Sequence, residues 1–287
     1  MNKTWLVTGA SSGLGRTMVE QLLDRGDRVV ATVRRDDALA DLRLQHRDSL
    51  TVVRLDLTDT DSIRMAVDAA FRRWERIDVV VSNAGYGLVG AAEELSDAQI
   101  ERQIATNLTG GIQFIRAVLP HLRRQGGGRI VQISSEGGQI AYPAFSLYHA
   151  TKWGIEGFVE SVAQEVAPLG INFMIAEPGP TATNFGAALV MAPPIPAYEA
   201  TPAGAVRRAV NERSFELKGD AGRTVVAIIA AADSAKPPFR LALGSTAFVN
   251  LTRELRRRLT EIEAQRDVAL SADRDAASSA GASHTAT

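Results

Sequence analysis

Trp5-Leu6-Val7-Thr8-Gly9-Ala10-Ser11-Ser12-Gly13-Leu14-Gly15 runs from an apolar, β-prone stretch through three glycines into a segment of helical period. A strand that turns through glycine into a helix is the opening of a βαβ unit. Gly9, Gly13 and Gly15 let the backbone turn sharply and approach a pyrophosphate. Ser11, Ser12 and Leu14 stand where a helix N-terminus offers unpaired N–H groups and positive dipole. The spacing is GxxxGxG rather than GxGxxG, and alone it also suits a plain tight turn. A literal GxGxxG occurs at Gly85-Tyr86-Gly87-Leu88-Val89-Gly90. It follows the fourth apolar run, opens no helix, and reads as a loop.

The pattern set by that first unit repeats along the chain. Short β-branched runs fall at 5–8, 29–33, 51–55, 79–82, 129–134, 171–176 and 239–243. Helical periods separate them at 14–25, 61–74, 97–124 and 148–166. Strand and helix in alternation mean parallel strands joined by crossover helices. Val79-Val80-Val81 and Ile130-Val131 are apolar without alternation, as a sheet covered on both faces requires. The expected fold is therefore α/β, a doubly wound Rossmann-type parallel sheet of about seven strands with helices on both faces. It forms a single domain over residues 1–265, followed by a polar tail at 266–287 that buries too little apolar surface to offset its ordering entropy and is expected to be disordered.

Composition narrows the partners. Hydrophobic residues make up 45% of the 287 and charged residues 23%, enough for a large core. A net charge of −1 gives no electrostatic case for nucleic acid or an anionic membrane. Without cysteine there is neither a disulfide framework nor a thiolate zinc site, and the four scattered histidines make no metal motif. No leader-like segment precedes the first strand and no apolar run approaches membrane length, so a cytoplasmic protein is expected.

The second strand ends in Val33-Arg34-Arg35. A dinucleotide fold that takes NAD usually places an acid there for the ribose 2′-hydroxyl. Two guanidiniums instead suit a 2′-phosphate, so NADP(H) is expected over NAD(H). Asp36 and Asp37 could instead pair with these arginines. Asp56, followed by Leu57 after the third strand, could accept from an adenine amino group or cap the next helix. Asn83-Ala84-Gly85, after the fourth, are small enough for a ribose to lie on the backbone. Asn107, ahead of Gly110 and Gly111, is a poor mid-helix residue and marks a kink or a cap.

Tyr148 and Lys152 are four apart in a helical segment, so phenol and ammonium share a face. A nearby cation favours the phenolate, and bringing a tyrosine near neutrality asks about 4 kcal/mol of its site. Ser135 stands thirteen residues earlier, at the end of a β-type run. A serine hydroxyl beside such a pair can polarise a carbonyl and hand it a proton. A surface tyrosine and lysine would show the same spacing.

Together these motifs resemble the standard short-chain dehydrogenase/reductase family. TGASSGLG at 8–15, NAG at 83–85, Asn107, ISS at 133–135, YHATK at 148–152 and PGPTAT at 178–183 occur in its order and spacing. The resemblance implies a seven-stranded sheet with NAD(P)(H) along the strand ends. Tyr148 would be the general acid/base, Ser135 the hydroxyl on the substrate oxygen, and Lys152 the ligand of the nicotinamide ribose that lowers the phenol's pKa. Asn107 would hold a water relaying protons to Lys152. Pro178, Gly179, Thr181 and Thr183 would border the nicotinamide, with Thr183 at its carboxamide. Ser12 stands where NADP-binding relatives often carry a basic residue, so the 2′-phosphate reading rests on Arg34 and Arg35. By analogy the chain pairs through its two longest helices into a homodimer or homotetramer.

Residues 184–205 are rich in Ala and Pro with apolar side chains between. Long loops in compact domains are usually functional, and this one reads as a substrate lid. With Leu88, Tyr142 and Phe145, its Phe185 and Met191 predict a pocket for a hydrophobic ketone, aldehyde or alcohol. The expected activity is NADPH-dependent hydride transfer, as in an alcohol dehydrogenase or carbonyl reductase. A non-catalytic NADP-binding sensor commonly lacks one of Ser135, Tyr148 and Lys152, and an epimerase or dehydratase usually carries TGxxGxxG. No GxSxG elbow supports a serine hydrolase.

Overall fold

The computed structural model describes residues 2–214 and 216–273. Seven strands, β1 (Thr4–Val7), β2 (Arg28–Val33), β3 (Leu50–Arg54), β4 (Val79–Ser82), β5 (Gly128–Ile133), β6 (Ile171–Pro178) and β7 (Arg240–Leu243), form one sheet. Their order is β7-β6-β5-β4-β1-β2-β3, with every neighbouring pair parallel. The order reverses between β1 and β4, where open α/β sheets form a crevice at the strands' carboxyl ends.

Ten α-helices are described: α1 (Gly13–Asp24), α2 (Ala40–Gln45), α3 (Thr60–Arg73), α4 (Asp97–Ile104), α5 (Gly110–Arg124), α6 (Ser146–Val166), α7 (Pro202–Asn211), α8 (Ala221–Asp233), α9 (Ser245–Glu263) and α10 (Arg266–Ser271). Alternate side chains of each strand point to opposite faces, so the sheet has two cores. Trp5, Val7, Val29, Val79 and Val131 meet Met18 and Leu22 of α1 and Val225 and Ile228 of α8. Leu6, Val30, Val80 and Ile130 meet Ile63 of α3, Phe114 and Val118 of α5, and Ile155 and Val159 of α6. Each such fully buried aliphatic contributes about 1.5–3 kcal/mol, so burial on both faces, more than helix propensity, holds the layers.

Three expectations change. The helical period at 97–124 is not one helix: a π-turn over Ala105–Thr109 separates α4 from α5. The lid segment carries order of its own. Val190–Met191 pairs in parallel with Leu88–Val89, and α7 begins at Pro202, inside the expected loop. The tail starts as the short exposed helix α10, because Arg266–Ser271 continues the helical run of α9 after a turn; residues 274–287 lie outside the described residues. No helix among the described residues is long and apolar enough to cross a membrane.

Candidate active site

The glycine loop is built to be close. Gly9 has φ +67°, and a Cβ on it would lie 2.8 Å from the Ala84 Cα. On Gly15 a Cβ would lie 2.3 Å from the Gly9 carbonyl oxygen. Asn83 Nδ2 donates to Thr8 O at 2.8 Å, while the Asn83 and Ala84 amides donate to Thr8 Oγ1 at 2.9 and 3.1 Å. The loops after β1 and β4 are thus laced into one floor. Ser12 begins α1 with no side-chain hydrogen bond to the helix, leaving its first amides free for an anion. Thr183 stands opposite: a Cβ on Gly13 would lie 3.8 Å from its Cβ. A cradle that side chains would fill, with open amides at one end, fits a dinucleotide pyrophosphate.

At the end of β2, Arg34 is exposed and makes no hydrogen bond or ion pair among the described residues, whereas Arg35 pairs with Asp37 at 3.3 Å. Asp56 does not cap α3. Asp59 does, accepting from the Asp61 and Ser62 amides at 2.9 and 3.3 Å. Asp56 Oδ1 instead accepts from the Thr58 amide and hydroxyl, which together hold its carboxyl below the usual range. Leu57 beside it is buried. At the far end of the crevice, Gly179 N donates to Leu243 O at 3.0 Å just after Pro178, and Thr181 Oγ1 donates to Gly179 O at 2.8 Å.

Ser135 is the second residue after β5, and its hydroxyl accepts from Gly137 N at 3.1 Å, fixing the turn that leads to α6. Tyr148 and Lys152 lie on the first turns of α6. Lys152 is buried, donates from Nζ to Ile133 O at 3.0 Å, and lies 5.7 Å from the centre of the Tyr148 ring. The structure thus brings the three groups together. Their electrostatics differ from the expectation, because Lys152 does not depress the phenol. Burial pushes Tyr148 up to about 12, partly opposed by the Ser135 hydroxyl beside it. Burial also pulls Lys152 down to about 8. With the ammonium turned to a carbonyl, desolvation of both groups wins.

Asn107 sits in the π-turn and is buried. Its Oδ1 accepts from Tyr86 N at 3.1 Å, and its Nδ2 donates to Tyr86 O at 2.7 Å and to Thr151 Oγ1 at 3.5 Å. The expected kink is present, and this side chain ties the loop after β4 to α6.

The walls are aromatic. Phe145 and Phe185 flank the Tyr148 ring at 6.2 and 6.0 Å between centres. Leu88 is buried on the strand that pairs with Val190–Met191, which sets Met191 beside Val89. A Cβ on Gly87 would meet Leu189 at 2.4 Å and Phe185 at 3.1 Å, so the lid lies down on the loop. Tyr142 does not join this wall. It packs against Ile140, Ala247 and Leu251 on the α9 side, because its apolar neighbours are there.

Two features next to Tyr148 and the lid have no signal in any motif. His149 Nδ1 donates to Gly137 O at 2.9 Å and its Nε2 accepts from Tyr142 N at 3.0 Å, which keeps the ring neutral. Burial lowers its pKa from 6.5. The unfolded chain therefore takes up a proton that the folded one refuses, and stability is lost as pH falls below about 6.5. Replacing His149 by Gln should flatten the pH dependence of the urea midpoint on the acid side; an unchanged slope would contradict this. The second is Glu94, whose buried side chain is bonded to Arg207 Nη1 at 2.6 Å, where the lid meets the segment after Leu88–Val89.

A model of the family described as short chain dehydrogenase matches residues 3–192. Oxidoreductase BOA17 of Botryotinia fuckeliana is 35% identical over 249 residues, covering 86% of this chain and 90% of its own. A short-chain dehydrogenase from Streptomyces avermitilis superposes with a TM-score of 0.88 at 39% identity, covering 95% of this chain and 98% of that one. A Burkholderia phymatum enzyme solved in complex with NAD shares the fold, with a TM-score of 0.77 at 23% identity over 92% of this chain and 95% of that one.

Proposed function

Because the chain belongs to the short-chain dehydrogenase family and is an oxidoreductase, we propose that it interconverts a hydrophobic ketone or aldehyde and its alcohol with NADP(H). The observation that carries this reading is the junction of Ser135, Tyr148 and buried Lys152 beneath Phe145 and Phe185. When bound, the dinucleotide supplies or accepts the hydride. The glycine loop and the free amides of α1 would hold its pyrophosphate, Asp56 its adenine, Asn83–Gly85 and Lys152 its riboses, and Thr183 its nicotinamide end. Ser135 donates to the carbonyl oxygen and orients it. Tyr148 gives its phenolic proton to that oxygen in reduction and takes it back in oxidation. The phenol is protonated at neutral pH, the state that reduction needs. Lys152, bonded to Ile133 O, holds the strand end that leads to Ser135. Asn107 holds the frame through which a water would return the proton; its amide is spent on Tyr86, so that water falls to the backbone of the π-turn.

The test is incubation with NADPH and a panel of apolar ketones, followed by nicotinamide absorbance. Loss of absorbance with ketone is expected. Turnover without net change in NADP(H), or none with any member of the panel, would end this reading. Arg34 sets the cofactor preference. Arg34→Glu removes a charge-assisted contact to the 2′-phosphate and should raise the KM for NADPH about 10- to 100-fold, with NADH turnover kept or improved. An unaltered NADPH/NADH ratio would assign the preference elsewhere. A second copy of the chain is expected along α5 and α6, where Leu119, Phe158 and Val162 line an open groove.

A further inference from the structure

Lys152 is one of two charged side chains that α6 sends into the end of the sheet. One turn later comes Glu156, which is buried. One of its oxygens accepts from Ser134 Oγ, just after β5, and the other from Arg240 Nη1 on β7. Ser134 immediately precedes Ser135, and Ile133, the lysine's partner, immediately precedes Ser134. Two residues one helical turn apart therefore clasp consecutive positions of the chain that delivers the serine. Room for the carboxylate comes from Gly138, where a Cβ would lie 1.7 Å from Glu156 Oε1.

Charge balance gives the carboxylate a second task. A buried anion is costly unless paired. Arg240 is shared among Glu156, Glu177 and Glu160, with Gln139 also donating to Glu177 at 2.7 Å. One guanidinium thus faces three acids, and Lys152 is the further cation on the same helix face.

We propose that Glu156 is a positioning residue for the reaction, keeping Lys152 charged and the end of β5 seated so that Ser135 and Tyr148 stay in register. This rests on the proton transfer assigned to Tyr148 above. The ionisable groups packed around the junction are Tyr148, His149, Lys152, Glu156 and Glu160 of α6, Glu136 and Tyr142 between β5 and α6, Glu177 of β6 and Arg240 of β7. Burial pulls Lys152 down, and the charge of Glu156 pushes it back up; the same charge adds to the rise of the Tyr148 phenol. Both protons are therefore held more tightly while Glu156 is ionised, and removing its charge lets each group lose its proton at lower pH. Glu177, raised to about 7 by burial and by Glu156, would ionise more readily in turn and take back part of the effect.

Glu156→Gln should move the alkaline limb of kcat/KM for ketone reduction down by roughly half a unit to one unit, with KM for NADPH little changed. Ser134→Ala keeps every charge but frees the carboxylate to turn to Arg240. It should lower kcat severalfold and move the limb in the same direction by less. If Glu156→Gln does not fold, wild-type kcat and an unmoved limb in Ser134→Ala overturn the proposal. If it does fold, an unmoved limb in both variants overturns it. Tyr148→Phe, run alongside, separates this from the reaction itself: an active phenylalanine variant overturns both, whereas an inactive one with unmoved limbs overturns the role of Glu156 alone.

Discussion

Replacing Tyr148 by phenylalanine is expected to lower kcat for ketone reduction by roughly 10²- to 10⁴-fold, the usual share of a positioned general acid. Dinucleotide affinity and thermal midpoint should scarcely move. The reason is that the ring and the hydroxyl do separate jobs. The ring packs edge-on against Phe145 and His149 and at a tilt against Phe185, and phenylalanine keeps all three contacts. The hydroxyl sits in a buried setting that holds its proton to about 12, with Ser135 as its polar neighbour. At neutral pH the phenol is un-ionised in the folded and unfolded chain alike, and Ser135 keeps its bond from Gly137 N, so the fold loses little. Lys152 also stays bonded to Ile133 O, which is independent of the phenol. A fall in kcat without a fall in stability or cofactor binding is thus the signature of the proton donor. Full activity in the phenylalanine variant would mean that water protonates the product, and the site would need another acid.

How much of this was legible beforehand depends on the length scale of each interaction. The seven strands could be read because β-branched residues recur without alternation, and each observed strand lies within two residues of its expected limits. The π-turn left a local trace in Asn107 and Gly110: a Cβ on Gly110 would lie 2.4 Å from the Leu57 carbonyl oxygen. The Tyr148–Lys152 face follows from helical spacing alone. Burial does not, and for that reason the phenol's shift was expected with the wrong sign. Sequence spacing places a cation near a tyrosine but says nothing about how dry the place is. The direction of Tyr142 was hidden for a similar reason, since α9, more than 100 residues later, supplies the surface it packs on. Glu156 had a local signal, four residues beyond Lys152, but its counter-ion Arg240 is 84 residues away. Long-range ion pairs of this kind leave no periodicity.

Glu94→Ala should produce the largest loss of stability of any single change considered, and most of it in the lid. The carboxylate has three partners on three pieces of chain. Ala91 N donates to Oε2 at 2.7 Å, beside the strand that receives the lid; Ile195 N, within the lid, donates to Oε1 at 2.9 Å; and Arg207 Nη1, on α7, donates to Oε1 at 2.6 Å. Burial alone would raise this carboxyl, but the two amides and the guanidinium outweigh it and hold it below its ordinary range. Alanine leaves both amides without an acceptor, at about 1–3 kcal/mol each, and strands the guanidinium with Glu199 as its other partner at 2.8 Å. The resulting free-energy loss, about 2–6 kcal/mol, need not unfold the sheet, because neither core contains these residues. It falls on the attachment of the lid to Leu88–Val89, so the amides of Val190, Ala192 and Ile195 should exchange much faster in the variant. KM for the ketone should rise while KM for NADPH holds, since Glu94 and its three partners bond to no residue of the glycine loop. Glu94→Gln keeps an oxygen for the amides and should show a smaller effect. The double change Glu94→Leu with Arg207→Met removes both charges together and should recover part of the stability, as apolar replacement of a buried pair commonly does. If the alanine variant protects its lid amides as well as the parent and keeps its ketone KM, then the zipper of Leu88–Val89 with Val190–Met191 holds the lid without help. The buried pair would then be a bystander.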